Sequence, residues 1–165
     1  MDSIENFSIQ SPVGRLTLLA SSKGLCAVLW EKEKLNRVNI PLGRKNSNNP
    51  FIKMASEQLS EYFAGSRMKF SVPLDVVGTD FQKNVWKNLQ KVPYAKTVSY
   101  KDIAISMKKP TASRAVGMAN GKNPLSIIVP CHRVVASSGE LTGYAGGLKN
   151  KKILLDLESK TLNDH

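Results

Sequence analysis

A thiol, an imidazole and a guanidinium occupy consecutive positions, Cys131-His132-Arg133, directly after Pro130. Ahead of them runs Ile127-Ile128-Val129, an apolar, β-branched segment that is expected to be buried. The sulfur therefore emerges at the end of a buried stretch, beside groups that carry or can acquire positive charge. A cysteine of ordinary pKa, about 8.5, is only a few per cent thiolate at neutral pH, and adjacent positive charge raises that fraction. The residues alone leave two readings of Cys131: an activated nucleophile, or a small buried apolar side chain, as most cysteines outside disulfides are. Cys26 is expected to be the second kind. On an extended strand Cys131 and His132 face opposite sides, so a working pair needs a bridging water or a turn, which Pro130 permits. Failing that, His132 is a satisfied structural histidine. The only other histidine, His165, is expected to be solvated.

The chain that must position these groups has 165 residues, room for one domain or two small ones. Its 41% hydrophobic and 22% charged residues are globular proportions, which excludes a chain disordered throughout. Lys and Arg number 24 against 13 Asp and Glu, a net charge of +11, so an anionic partner is expected and nucleic acid leads. The excess is uneven: 10 basic against 7 acidic residues up to Gly78, and 14 against 6 from Thr79 onward. The basic surface thus belongs mainly to the second half. Met1-Asp2-Ser3-Ile4-Glu5 lacks the basic-then-apolar pattern of a secretory signal, and no apolar run approaches the roughly 20 residues of a membrane helix. A cytoplasmic protein, or a nuclear one in a eukaryote, is expected, with no membrane partner. Without a Cys-x-x-Cys pair, and with two histidines, no structural zinc site is expected. No heptad pattern calls for self-association, so the expected state is a monomer.

In the first half, residues 14–20 and 24–30 are apolar runs separated by Ser-Ser-Lys-Gly and read as a β-hairpin. A polar loop over residues 45–50 precedes Phe51, Ala55, Leu59 and Tyr62, whose spacing predicts an amphipathic helix closed by Gly65. Residues 70–74 read as a last short strand or linker, kept from a central ladder position by Pro73. In the second half, Thr79 and Gln82 form a capping-box pattern ahead of a helix burying Phe81, Val85, Trp86 and Leu89. Ser99 and Asp102 repeat that pattern before Ile103, Ala104 and Met107, and a second short helix is expected from about Thr111 to Ala119. Two short helices across a tight basic turn form either a helix-turn-helix or a pair that merely packs together. The second helix is almost bare around Arg114, with Ala112, Ser113, Ala115, Gly117 and Ala119. A surface so poor in base-reading side chains fits sequence-independent, minor-groove contact, or equally tight packing within the domain.

The string Pro130-Cys131-His132-Arg133-Val134 resembles the active-site signature of the O6-alkylguanine-DNA alkyltransferases. Gly78-Thr79-Asp80-Phe81-Gln82, Val98-Ser99-Tyr100, Ser113-Arg114-Ala115-Val116-Gly117, Asn123-Pro124, Ser138-Gly139 and Tyr144-Ala145-Gly146-Gly147-Leu148 resemble that family too, in its order and spacing. The resemblance is good from residue 78 to about 159 and extends to the first half only in general layout. It implies an α+β chain of two domains: residues 1–77, a small strand-and-helix domain of ribonuclease H-like type, and residues 78–165, a mainly helical winged helix-turn-helix-like DNA-binding and catalytic domain.

The resemblance also implies direct-reversal DNA repair without a cofactor. The alkyl group of O6-alkylguanine in double-stranded DNA, with O4-alkylthymine a further candidate, would pass once to Cys131. His132, oriented by Glu158, would act as base through a water; Asn123 would tie the helix-turn-helix to the active-site segment. Arg114 would replace the flipped base in the duplex, flanked by Ser113 and Ala115, while Tyr100 crowds the phosphate and then donates a hydrogen bond to guanine O6. Tyr144, Ala145 and the Val134 backbone would line the base pocket, and Ser126 and Thr142 bear on its tolerance of larger alkyl groups. Periodicity alone puts Glu158 on the surface of a last helix whose stripe is Ile153, Leu154 and Leu157. Three rivals remain: a damaged-base sensor that does no chemistry, a winged-helix regulator with a reactive cysteine, and a Cys-His thiol hydrolase. The first lacks the acceptor cysteine, the second needs more base-reading side chains, and the third needs an oxyanion hole with no evident source.

Overall fold

The structure, a computed structural model, describes residues 3–164, so His165 and the first two residues lie outside the described residues. The chain divides into two compact units, residues 1–77 and 78–165.

The first unit is a four-stranded sheet of order β3-β2-β1-β4 with one helix against it. The strands are β1 (Glu5–Ile9), β2 (Leu16–Ala20), β3 (Leu25–Trp30) and β4 (Arg44–Lys45). The expected hairpin is β2 with β3, antiparallel, pairing Leu16 with Trp30 and Leu18 with Val28. β1 adds antiparallel to β2, and β4 adds parallel to β1, so the expected polar loop begins one residue into a short edge strand. α1 (Pro50–Phe63) starts where the Asn49 side chain accepts from the amides of Phe51 and Ile52. Its buried face is Ile52, Ala55, Leu59 and Tyr62, so Ile52 takes the place expected for Phe51. Gly65, at φ 78°, follows it, as expected of the residue that closes a helix. Leu74 bridges Leu25 at the sheet edge, and the carbonyl of Pro73 accepts from Leu25. A Cβ on Gly24 would lie 2.7 Å from that carbonyl oxygen, which is why the approach needs glycine.

The second unit is mainly helical. α2 (Asp80–Leu89) carries the expected capping box, with Thr79 accepting from the Gln82 amide and the Gln82 side chain accepting from that of Thr79. It buries Val85, Trp86 and Leu89, while Phe81 is half-buried under Lys109, whose ammonium lies 5.3 Å from the ring centre. β5 (Val98–Ser99) leads into α3 (Tyr100–Ser106), where Ser99 and Asp102 form the second capping box. α3 ends in a Schellman motif: Lys108 at φ 61° donates to Ile105 and Lys109 donates to Ala104. The next helix, α4 (Ser113–Gly121), starts two residues later and ends two residues later than expected, with Ala112 as its N-cap and Lys122 as its C-cap. It packs on α2 and α3, and Trp86 fixes it by donating from Nε1 to the Ala119 carbonyl at 2.8 Å. β6 (Val134–Val135) pairs parallel with β5, and α5 (Leu148–Asn163) closes the unit. No described helix is long and apolar enough to cross a membrane.

Two substitutions test this frame by urea unfolding. Thr79→Ala removes one half of a capping box and is expected to cost about 1 kcal/mol. Trp86→Phe removes the bond that joins α2 to α4 and leaves the buried Ala119 carbonyl without it, at a cost of about 1–3 kcal/mol.

Candidate active site

The segment before Cys131 is buried, as expected, but it is not a strand. Ile127 adopts φ 74°, and the amides of Ile128 and Val129 turn back to the carbonyls of Ser126 and Leu125. Asn123, fully buried, knits this turn from inside: its Oδ1 accepts from Leu125 and its Nδ2 donates to Val129, both at 2.9 Å. Residues 131–133 then form one turn of 3₁₀ helix. That turn removes the strand geometry that would have pointed Cys131 and His132 apart.

His132 and Glu158 have no solvent-accessible surface, and the imidazole Nε2 lies 2.6 Å from Glu158 Oε2. Arg133 completes the cluster, with Nε donating to Oε1 at 2.8 Å and Nη2 to Oε2 at 3.0 Å. Its Nη1 donates to the Val92 carbonyl, and the Ala95 amide donates to Oε1 of the same carboxylate at 3.1 Å. Burial pushes the Glu158 carboxyl up, but the hydrogen bonds and charge of its two partners outweigh it and hold its pKa at about 2. Burial is also the largest influence on His132, and it holds the imidazole below its ordinary value despite the pull of Glu158. A neutral ring facing an ionised carboxylate must keep its proton on Nε2, which assigns the tautomer. Nδ1 therefore carries the lone pair. It is buried and takes no protein hydrogen bond among the described residues.

The expected buried stripe of α5 needs correction. Ile153 and Leu157 are half-buried, and the face turned inward is Lys151, Leu154, Glu158 and Thr161. The surface position that periodicity gives Glu158 is therefore wrong: salt-bridge and hydrogen-bond partners on other elements outweigh the apolar pattern. Lys151, which the sequence reading did not single out, is fully buried and donates to the carbonyls of Val134 at 2.7 Å and Thr142 at 3.2 Å. Burial lowers its pKa, and the charge of Cys131 opposes that shift, so ammonium and sulfur act on each other. Arg133, by contrast, turns its guanidinium to Glu158.

The remaining expected residues fall into two groups. The Tyr100 hydroxyl meets that of Thr142 at 2.7 Å, in the loop over residues 136–147 that also carries half-buried Tyr144 and Ala145. The ring of Tyr144 is 5.9 Å from the Lys151 ammonium, and the Val134 carbonyl expected to meet the base is already an acceptor for that ammonium. On α4, Arg114 and Ala115 are exposed, Ser113 is half-buried, and the Arg114 side chain makes no hydrogen bond or ion pair among the described residues. The structure thus joins Cys131, His132, Glu158 and Asn123 in one buried arrangement. Arg114 stands on a separate, open surface.

Comparison with known proteins places the chain in a family. Residues 80–160 match the model of the 6-O-methylguanine DNA methyltransferase DNA-binding domain, and residues 7–76 match that of the ribonuclease-like domain. The chain belongs to the 6-O-methylguanine DNA methyltransferase family. A methylated-DNA-protein-cysteine methyltransferase of Methanosarcina barkeri is 48% identical over 154 residues, 93% of this chain and 96% of that protein. Its counterpart in Mycobacterium tuberculosis is 47% identical over 152 residues, covering 92% and 90%. A crystal structure of Mycobacterium tuberculosis OGT in complex with DNA superposes with a TM-score of 0.87 at 43% identity, over 96% of this chain and 94% of that one. For this family member the expected α+β order, a strand-and-helix unit followed by a mainly helical one, is the observed one.

The buried cluster predicts acid sensitivity. Both groups have folded-state pKa values below their unfolded ones, so each contributes stability at neutral pH that is lost as pH falls. The loss should begin near pH 6.5 through His132 and deepen from about 4.5 toward 2 through Glu158, the latter worth about 3 kcal/mol. Urea midpoints measured across that range check it. At pH 7, Glu158→Gln leaves Arg133 buried without its counter-ion and should lower the unfolding free energy by about 3–5 kcal/mol.

Proposed function

We propose that this protein repairs DNA by moving the alkyl group of O6-alkylguanine onto its own Cys131. The observation that carries the reading is the Glu158-held His132, neutral and with a basic Nδ1, in the same buried turn as the thiol. His132 Nδ1 takes the thiol proton through a bridging water, and the nearby Lys151 ammonium favours the thiolate. The sulfur then attacks the alkyl carbon. The S–C bond forms as the C–O6 bond breaks, and the bonding pair leaves on guanine O6. Tyr100 donates a hydrogen bond to that oxygen and stabilises the charge that develops there. The product is a thioether that no group of the site can cleave, so each molecule reacts once.

The target base must leave the duplex, because the alkylated oxygen is out of reach of a buried thiol while the base is stacked. Arg114, exposed on a helix where small Ser113, Ala115 and Gly117 surround it, suits the role of replacing it in the stack, with Ser113 and Ala115 letting the helix approach the minor groove. Tyr144, Ala145 and Val134 receive the flipped base, and Asn123 keeps the turn that bears Cys131 in register with α4. The protein works on double-stranded DNA as a monomer in the cytoplasm, or in the nucleus of a eukaryote, and needs no cofactor.

The test is stoichiometry. With a tenfold excess of duplex bearing O6-methylguanine, release of methyl from DNA should plateau near one equivalent per protein molecule, and Cys131→Ala should release none. Continued release beyond one equivalent overturns the reading. Tight lesion binding without any release shifts it to damage sensing. Arg114→Ala should slow transfer on duplex far more than on the free base, and binding should weaken steeply with added salt.

A further inference from the structure

α4 turns one face to its neighbours and the other to open surface. Val116, Ala119 and Asn120 are buried where the helix packs on α2 and α3 and where Trp86 binds the Ala119 carbonyl. Arg114, Ala115, Met118, Gly121 and Lys122 are exposed. At about 100° per residue these five fall within roughly a third of the helix circumference, opposite the buried set. Met118 is 71% exposed, more than any other large apolar side chain of the second unit among the described residues. A single apolar residue on a surface is ordinary. This one stands midway along the open face, one turn from Arg114 on one side and one turn from Lys122, the C-cap, on the other. Its neighbours three positions away on that face are Ala115 and Gly121, which screen nothing.

Two cations about 12 Å apart along the helix axis, with a bare thioether between them, match a surface whose charged rims flank an apolar wall. Residues 80–160, which contain this face, match a DNA-binding domain, and the same half of the chain carries most of the basic excess. In duplex DNA the rims are phosphate and the walls of the minor groove are deoxyribose. That groove is about 6 Å wide, whereas a helix with its side chains measures about 10–12 Å, so only a projecting side chain reaches inside unless the groove opens. On the open face Ala115 and Gly121 let the backbone come close, and Arg114 and Met118 project. Methionine is unbranched and adapts to irregular apolar surface, and minor-groove proteins use apolar side chains of this kind to open base steps. We infer that Met118 is a DNA contact: it enters the minor groove one turn from Arg114 and packs on the sugar walls and base edges, while Lys122 meets a phosphate on the rim. This rests on the reading of α4 as the helix that faces DNA, and it adds an apolar contact beside the extruded nucleotide.

The test has two arms, both with Cys131→Ala as the parent so that neither transfer nor thiol oxidation intervenes. Exposed methionine oxidises to the sulfoxide, so peptide mapping after a brief peroxide pulse reports whether DNA covers Met118. Saturating undamaged duplex should slow its oxidation by about fivefold or more and leave that of Met54 on α1, 39% exposed, unchanged. In the second arm, Met118→Ala should weaken binding of an O6-methylguanine duplex by about fivefold to tenfold. Met118→Gln, of similar length but polar, should weaken it as much, and Met118→Leu should restore most of it. Salt separates the two kinds of contact: the slope of log affinity against log salt should stay the same in Met118→Ala and fall by about one in Lys122→Ala. Equal oxidation of Met118 with and without bound duplex, or an unchanged affinity in Met118→Ala, overturns the inference and leaves the alkyl-transfer reading intact. Protection of Met118 by duplex, with no methyl transfer by the wild-type protein, overturns the alkyl-transfer reading alone. Failure of the wild-type protein to bind duplex overturns both.

Discussion

The ionised carboxylate of Glu158, out of contact with water, sets the terms for the rest of the site. An isolated buried charge of that kind costs several kcal/mol, and it persists only if its oxygens are fully engaged. They are engaged by Arg133 with two bonds, His132 with one and the Ala95 amide with one. Those donors come from the 3₁₀ turn and from the loop after α2, and the acceptor comes from α5, so satisfying one carboxylate fixes three segments together. The turn cannot relax to a strand without leaving that charge bare. The relation between Cys131 and His132 is thus a by-product of electrostatic necessity, and the neutral imidazole with its base nitrogen turned away from Glu158 follows from the same bonds.

A second buried charge, Lys151, complements the first. Its ammonium ends on the carbonyls of Val134 and Thr142, and it shares an electrostatic interaction with Cys131. The guanidinium two positions from the cysteine is paired with Glu158, and the ammonium that shares the interaction with Cys131 lies twenty positions away. Separating the two cations in this way leaves Arg133 on the Glu158 carboxylate and Lys151 on the two carbonyls. The basic excess outside the site is a different matter: those lysines are mostly exposed.

What the sequence made legible divides by the range of the forces involved. Both capping boxes, the β2–β3 hairpin and the end of α1 depend on residues a few positions apart, and they are found where the spacing puts them. β1 was not legible, because Glu5-Asn6-Phe7-Ser8-Ile9 alternates over only four residues with two apolar side chains, and it is held by pairing with β2 and by asparagines far along the chain that bind Glu5. Cys131 and His132 stood out by type and by the string around them, but composition could not choose between nucleophile and core residue. Glu158 and Lys151 were opaque to periodicity, since Ile153 and Leu157 draw the eye to another face of α5 and the partners that bury the polar pair are far away in the chain. A polar pair at positions 151 and 158, seven residues apart on one helix face with Leu154 between, is the signal that a reader could have used.

The central claim is that the Cys131 sulfur becomes covalently alkylated, and peptide mapping by mass spectrometry tests it most directly. After incubation with a duplex containing one O6-methylguanine, the account predicts one added methyl, about 14 Da, on the peptide that contains Cys131 and none on the peptide that contains Cys26, with an undamaged duplex giving neither. A methyl found on any other residue, or a protein of unchanged mass after the lesion has been repaired, would contradict it.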